Sequence, residues 1–358
     1  SRINEAGLNV NQYGNRNLII NGSQIVNQRG TQTVNTSTTA AYGLDRFRLI
    51  AGGGPNNFVG TIAQDSDVPS GSGFSNSLKI TTTTAESAIA AGEYFYLHQT
   101  IEAQNLQQLA YGTSSAKKVT LSFWVKSTIT GTFAVGLYKP DSTSQIHNKT
   151  YTINSASTWE YKTITYEANT LSGGAIANDN GAGIEVAWHL AVGSNYKGTD
   201  TSSGWATYAS ATWGNGQGTD AVITTTNATF QITGVQLEVG DTATDFEHRT
   251  FGDELIKCQR YYQKYAETGG SGSNAYLRYG IGQNQTTTVS EIFINSQTIM
   301  RADPTLIYTG TPANYSLYAR GAVVACTGVA IEISGHSNNQ LFVLTATVAS
   351  GLVAGEAV

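Results

Sequence analysis

The sequence predicts an all-β protein: a β-sandwich or closed barrel, then one short helix, then a second, smaller β domain. Three observations predict it. Apolar residues alternate with polar ones in short runs broken by Gly, Ser and Asn, the period-two pattern of half-buried antiparallel strands. Charged residues are only 13% of 358 while Gly numbers 39, so the polarity comes from Thr, Ser, Asn and Gln, which suit neutral sheet surfaces. A helical pattern surfaces once, near residue 255.

Among the strands, "SLKITTT" and "YFYLHQTIEA" come first; the second places Phe95, Leu97 and Ile101 on one face and Tyr94, Tyr96 and His98 on the other. In "KKVTLSFWVKS" Val119, Leu121, Phe123 and Val125 point one way and Thr120, Ser122, Trp124 and Lys126 the other. "GTFAVGLYK" turns Phe133, Val135 and Leu137 inward and Tyr138 outward; "TWEYKTITYEA" follows. "GIEVAWHLAVG" turns Ile184, Val186, Trp188, Leu190 and Val192 inward, which makes Trp188 core. In "ATFQITGVQLEVG" the inward set changes phase at Gly234, the sequence form of a β-bulge. At least seven strands without intervening helices indicate a sandwich or barrel. No 20- to 25-residue repeat supports a β-helix.

From Asp253, the residues Leu255, Cys258, Tyr262 and Tyr265 fall three, four and three apart and line one helix face. Thr250, three before Asp253, has the capping-box spacing. The expected helix is about fourteen residues, roughly 21 Å, too short to stand alone. It ends at the Gly269–Gly272 run, after which "YLRYGIGQ", "TTVSEIFINSQTIM", "PTLIYTG", "YSLYARG", "GVAIEISG" and "NQLFVLTATV" read as short strands.

A net charge of −5 and the absence of a Lys/Arg cluster exclude a nucleic-acid backbone as partner. No run of about 18 apolar residues offers a membrane span. Cys258 and Cys326 read as small buried hydrophobes.

Certain segments carry a family resemblance. "NLIINGSQIVNQRG" at residues 17 to 30, "YGLDRF", "YLHQTIEAQNL", "TWEYKTITY" and above all "ITGVQLEVGDTATDFEHRTFGDELIKCQRYYQK" resemble carbohydrate-binding-module-like jelly rolls of bacteriophage tail fibres. "TIMRADPTLIY" looks like the start of the distal domain of such fibres. The resemblance spans about residues 17 to 308. It implies an N-terminal attachment segment (1–16), a jelly roll (17–249), a linking helix (250–268) and a distal β domain (269–358). The final "GLVAGEAV" leaves room for further strands that such fibres carry. Implied too are a homotrimer, other tail proteins and a host cell-surface polysaccharide as partners, and a place in the virion tail after assembly in the host cytoplasm. The resemblance favours the helix stripe Leu255, Cys258, Tyr262 and Tyr265 as a trimer contact; the alternative is a spacer packed on its own chain.

Candidate chemistry is sparse. The five histidines lack metal spacing, and "GFSNS" lacks both the Gly-x-Ser-x-Gly pattern and its strand-to-helix context, so an enzyme is not expected. Sugar binding asks for aromatic rings and hydroxyl partners. Tyr94, Tyr96, His98, Trp124 and Tyr138 qualify as outward-facing residues, and Trp205 and Trp213 as a loop platform, against the alternative that a loop covers the first set and packing uses the second. The resemblance also implies a structural calcium where first and last strands meet, near Asn21, Asp241 and Asp245, with "NDNG" at 178 to 181 a weaker candidate; solvated turn residues are the competing reading.

Overall fold

The computed structural model describes residues 15–35, 37–54, 57–265, 280–308, 310–319, 321–331 and 341–358. It divides into two compact units, residues 1–254 and 255–358. The division falls inside the helix rather than on either side of it.

In the first unit the strands are β1 (Gln32–Val34), β2 (Ala40–Tyr42), β3 (Arg48–Gly52), β4 (Val59–Asp65), β5 (Ser77–Thr84), β6 (Tyr94–Glu102), β7 (Val119–Ser127), β8 (Gly131–Lys139), β9 (Gln145–Ile153), β10 (Glu160–Tyr166), β11 (Ala182–Val192), β12 (Ala206–Thr207) and β13 (Thr229–Val239), with a four-residue helix α1 (Ala221–Thr224) before β13. They form a six-stranded sheet, β1-β4-β5-β13-β7-β10, and a seven-stranded sheet, β12-β9-β8-β11-β6-β3-β2. Every pairing is antiparallel. The chain passes repeatedly from one sheet to the other, the wiring of a jelly-roll sandwich.

The inward residues expected from alternation fill the space between the sheets. Phe123 of β7 meets Trp188 of β11 edge-on at 5.8 Å, and Phe133 of β8 lies 6.1 Å from Phe230 of β13. Each pair joins opposite sheets, and all four side chains are fully buried. The bulge expected at Gly234 is present: the β13–β7 register shifts between Thr233 and Gln236, and Gly234 has φ +59°.

The sandwich is closed by a clasp between its first and last segments. Leu18 N–H donates to Leu237 O (2.8 Å) and Val235 N–H to Gly22 O (2.9 Å). The Asn17 side chain bridges the same backbone, donating to Val235 O (3.0 Å) and accepting from Leu237 N–H (3.1 Å). Gly22 permits this approach, since a Cβ there would stand 2.1 Å from Val235 O. Over the junction lies Arg249. Its guanidinium donates to Ile19 O (3.1 Å), Asn17 O and Glu247 (2.9 Å), and stands 3.5 Å from Glu254. Burial alone would raise the Glu247 carboxyl, but the Asn17 N–H and Arg249 hold it below the usual range.

The helix α2 (Phe251–Gln259) starts as expected. Asp253 N–H donates to Thr250 Oγ1 (3.2 Å), and the Thr250 hydroxyl donates to the Asp253 carboxylate (2.7 Å). It stops after nine residues, short of the expected fourteen. The Arg260 carbonyl, which a continuing helix would give to residue 264, accepts instead from Arg301 N–H (2.8 Å). Tyr262 and Tyr265 therefore lie beyond the helix, and the rest of the expected helix and its glycine-rich end lie outside the described residues.

The second unit has one antiparallel sheet in the order β14 (Ile281–Asn284), β15 (Val289–Asn295), β18 (Leu341–Val348), β17 (Ala322–Ile331) and β16 (Ser316–Ala319). Its cores gather Leu317, Cys326, Ala346, Val348 and Leu352 in one cluster, and Ile294, Met300 and Phe342 in another. The expected strand "PTLIYTG" is outside any strand among its described residues; Pro304 brings no N–H to a ladder, and Ile307 is exposed. β17 begins earlier than read, at Ala322, because its first four residues pair with β16.

The clasp makes a stability prediction. Arg249→Leu would leave the buried Glu254, the half-buried Glu247 and two carbonyls without their cation. Urea unfolding should show a loss of about 3–5 kcal/mol. A loss below about 1 kcal/mol would show that the guanidinium does not hold the sandwich closed.

Candidate functional site

The outer face of the seven-stranded sheet brings together most of the aromatic residues singled out in the sequence. Register sets them in rows: Ile50, Tyr96 and His189 in one, and Arg48, His98, Ala187, Gly136 and Asn148 in the next. A third row holds Thr100, Glu185, Tyr138 and Ile146. Ala187 and Gly136 leave a low floor between larger neighbours, with no room for a side chain at Gly136, where a Cβ would lie 2.2 Å from Asn148 Oδ1.

The chain's own loop between β11 and α1 covers that floor. Trp213 packs with Ala187, Tyr96 and Ile146 and meets the rings of Tyr96 (5.1 Å), Tyr138 (5.5 Å) and His189 (5.3 Å) nearly at right angles. The loop is tied down by backbone bonds from Tyr208 N–H to Ser144 O (2.8 Å) and Gly218 N–H to Thr132 O (3.0 Å), and by Gln217, which accepts from Ala134 N–H (2.8 Å). Tyr96 and Trp213 are consequently 9% and 7% exposed. The rings that reach solvent are the half-buried Tyr94, Tyr138, Tyr196 and Tyr208 around them. Tyr196 and Tyr208 were not read from the sequence, because their irregular loop has no periodicity to mark a face.

A polar end adjoins this basket. Glu185 stands 3.7 Å from His98 Nδ1, bonds Thr100 and feels the Arg48 charge. Burial raises its carboxyl and Arg48 opposes the shift. His98 is buried and makes no hydrogen bond among the described residues. Burial, reinforced by Arg48 and Arg46, lowers its pKa to about 3.

The remaining aromatic residues lie elsewhere. Trp124 is on the six-stranded sheet, beside Tyr161. Trp205 is buried, donates its indole N–H to Glu167 O (2.8 Å) and meets Tyr111 and His147 edge-on. It serves packing.

The proposed calcium ligands do not converge on a cation. The Asn21 amide is used in its own turn, donating to Val26 O and Asp45 O and accepting from Val26 N–H, while Asp241 and Asp245 are exposed. Among the described residues no group of three His, Cys, Asp or Glu side chains could hold a metal ion. The positive charge at the strand junction comes from Arg249 and from Arg16, which stands 3.8 Å from Glu238. Asp179 of the "NDNG" turn accepts from Gly181 N–H, an ordinary turn bond.

Of the helix stripe, Cys258 is 1% exposed within the single chain, and Tyr265 packs on Ile294, Met300 and Phe342 and donates to Gln263 (2.8 Å). Leu255 and Tyr262 are half-buried. The apolar side chains that α2 leaves exposed are Phe251 and Ile256, outside the stripe.

No family model and no curated protein matches the chain. Among solved structures it is similar to a putative sugar binding protein from Bacteroides thetaiotaomicron (TM-score 0.34, 12% identity, 62% of this chain and 99% of that one). A family 11 carbohydrate-binding module of a Clostridium thermocellum cellulase gives 0.29, 12%, 62% and 98%. The enzymatically active domain of bacteriophage CBA120 tailspike protein 4 gives 0.30 and 15%; the match covers 63% of this chain but only 21% of the tailspike chain.

Three buried histidines make the fold acid-sensitive. Burial lowers His98 and His189 to about 3 and His147 to about 4, against 6.5 for the free side chain. Burial and then the Lys149 charge lower His147 against the opposing pull of the Thr201 carbonyl at Nδ1 (2.8 Å), and Nε2 accepts from Glu167 N–H (3.3 Å). A depressed histidine leaves stability intact above pH 6.5 and removes it as the pH falls, because only the unfolded chain gains the proton. Each should cost up to about 2 kcal/mol at about pH 5. Thermal unfolding at about pH 7.5 and about pH 5 should show a clear drop. His189→Gln should shrink it, and an unchanged midpoint would contradict neutral burial.

Proposed function

We propose that this chain is a bacteriophage tail-fibre adhesin that holds a host surface glycan on the aromatic face of its seven-stranded sheet, three copies acting together. The observation that carries the reading is the ring of half-buried tyrosines, Tyr94, Tyr138, Tyr196 and Tyr208, next to Arg48 and Glu185. Aromatic faces stack on the C–H faces of a sugar, and charged or hydroxyl groups beside them bond its hydroxyls. The resemblance in the jelly-roll segments supports the virion setting and the trimer. Three linked sites turn weak single contacts into useful adhesion, with gains of roughly 10² to 10⁴ where the geometry allows simultaneous engagement. Hydrolysis is not part of the proposal.

A structural virion protein without sugar binding is the second reading. It is favoured by the burial of Tyr96 and Trp213 beneath the chain's own loop, which removes two rings from reach.

Binding to a glycan array and light scattering test the two parts separately. The adhesin reading expects glycan binding that falls about tenfold or more in Tyr94→Ala and Tyr208→Ala. It also expects a solution mass three times 38.0 kDa. Absence of glycan binding favours the structural reading; a mass of one chain removes the avidity argument.

A further inference from the structure

The outer face of the six-stranded sheet bears a second aromatic surface, separate from the first. Tyr161 of β10 and Trp124 of β7 are direct cross-strand partners, with rings 5.3 Å apart and inclined at 46°. Tyr161 is 45% exposed and Trp124 half-buried. Neither the Trp124 indole N–H nor the Tyr161 hydroxyl makes a hydrogen bond among the described residues, and neither is sealed from solvent. Trp159, at the start of the same hairpin edge, differs: its indole N–H is held by Asp67 (3.0 Å).

The pair is also held in place. The bulge at Gly234 lets Phe74 and Trp124 lie close to the backbone, since a Cβ at Gly234 would stand 2.6 Å from the Phe74 ring and 3.2 Å from Trp124. A ring fixed in advance loses little conformational freedom on binding. Beside it, the next outward row offers the exposed hydroxyl of Thr163, whose cross-strand partner Ser122 is buried.

The charges nearby are already matched. Lys126 pairs with Asp67, and Lys79 with Asp65 at 2.9 Å. Despite burial, the Asp67 N–H and Lys79 hold Asp65, and Lys126 and the Trp159 indole hold Asp67, below the usual carboxylate range. A phosphate or uronate would have to compete with these carboxylates, and an apolar peptide would leave the indole N–H and phenol hydroxyl without partners. An uncharged sugar ring meets both conditions, offering C–H groups to the rings and hydroxyls to the two polar hydrogens.

We propose that Trp124 and Tyr161 form a second ligand site, for the pyranose rings of an uncharged glycan chain, on the sheet opposite the tyrosine basket. The chain is then bivalent within one sandwich.

Affinity electrophoresis in gels cast with neutral polysaccharides (a β-glucan, a mannan, a galactan) and with polygalacturonate tests it. At least one neutral polysaccharide should retard the wild type, and Trp124→Ala should weaken that retardation about tenfold. Tyr161→Phe, which keeps the ring and loses only the hydroxyl, should weaken it about threefold while leaving the unfolding midpoint unchanged. Tyr208→Ala, which alters only the other face, should retain the Trp124-dependent part. Retardation by polygalacturonate alone, by no neutral polysaccharide, or by a neutral one with full strength in both Trp124→Ala and Tyr161→Phe would overturn the site. Loss in Tyr208→Ala alone would overturn it too while leaving the adhesin reading standing.

Discussion

Arg249 holds the first segment of the sandwich to the chain that follows its last strand, and Arg16 reaches Glu238 of that strand. Arg249 lies where the first segment meets the last strand, bonded to the carbonyls of Asn17 and Ile19 and flanked by Glu247 and Glu254. The last strand, β13, lies inside its sheet between β5 and β7, and the first segment runs beside it only where the β5 pairing has ended, at Val235 to Leu237. A buried ion pair is a poor source of net stability but a strong determinant of one arrangement, since any other leaves a charge unpaired. Glu254 sits in the first turn of α2 and also accepts from Asn21 N–H, so the seam fixes where the helix begins. The helix α2 thus starts from the seam.

With the seam closed, the outer faces of the two sheets become separate surfaces with different cover. The seven-stranded sheet has a low floor at Ala187 and Gly136, and the loop before α1 places Trp213 on it. Burying one large ring there removes apolar area from water and leaves a rim of tyrosines. The six-stranded sheet has Phe74 of the β4–β5 loop lying with Trp124 against Gly234, and leaves Tyr161 exposed. Its aromatic pair stands among lysines that Asp65 and Asp67 already neutralise. Two sheets of one sandwich therefore offer an aromatic basket with a charged end and an uncharged aromatic step.

Alternation in the sequence revealed seven of the thirteen strands of the first unit, the core position of Trp188 and the bulge at Gly234, because each is a property of a few neighbouring residues; β1 to β4, β9 and β12 were not read from it. The Thr250–Asp253 cap was legible for the same reason. What local pattern could not give was partnership. Trp124 and Tyr94 have the same signature, an aromatic residue on the polar side of a strand, and nothing nearby in sequence says that they belong to opposite sheets. The end of α2 depends on Arg301, far along the chain, and the clasp joins Arg249 to Asn17. The residues placed around a calcium were read from the right junction, but Asn21 is spent on its own turn, and the guanidiniums that bond there, Arg16 and Arg249, have no metal-ligand pattern. Tyr196 and Tyr208 sit in irregular structure, where periodicity carries no information.

Sugar contact at two faces of one sandwich is tested most directly by fluorine NMR of the chain labelled with 5-fluorotryptophan. The five tryptophans give five signals that single substitutions assign. On addition of the neutral polysaccharide that binds, the signals of Trp124 on one sheet and Trp213 beneath the tyrosine rim should both move, while that of Trp188 in the core stays. Binding that leaves Trp124 and Trp213 both unmoved would place the sugar elsewhere and contradict the account.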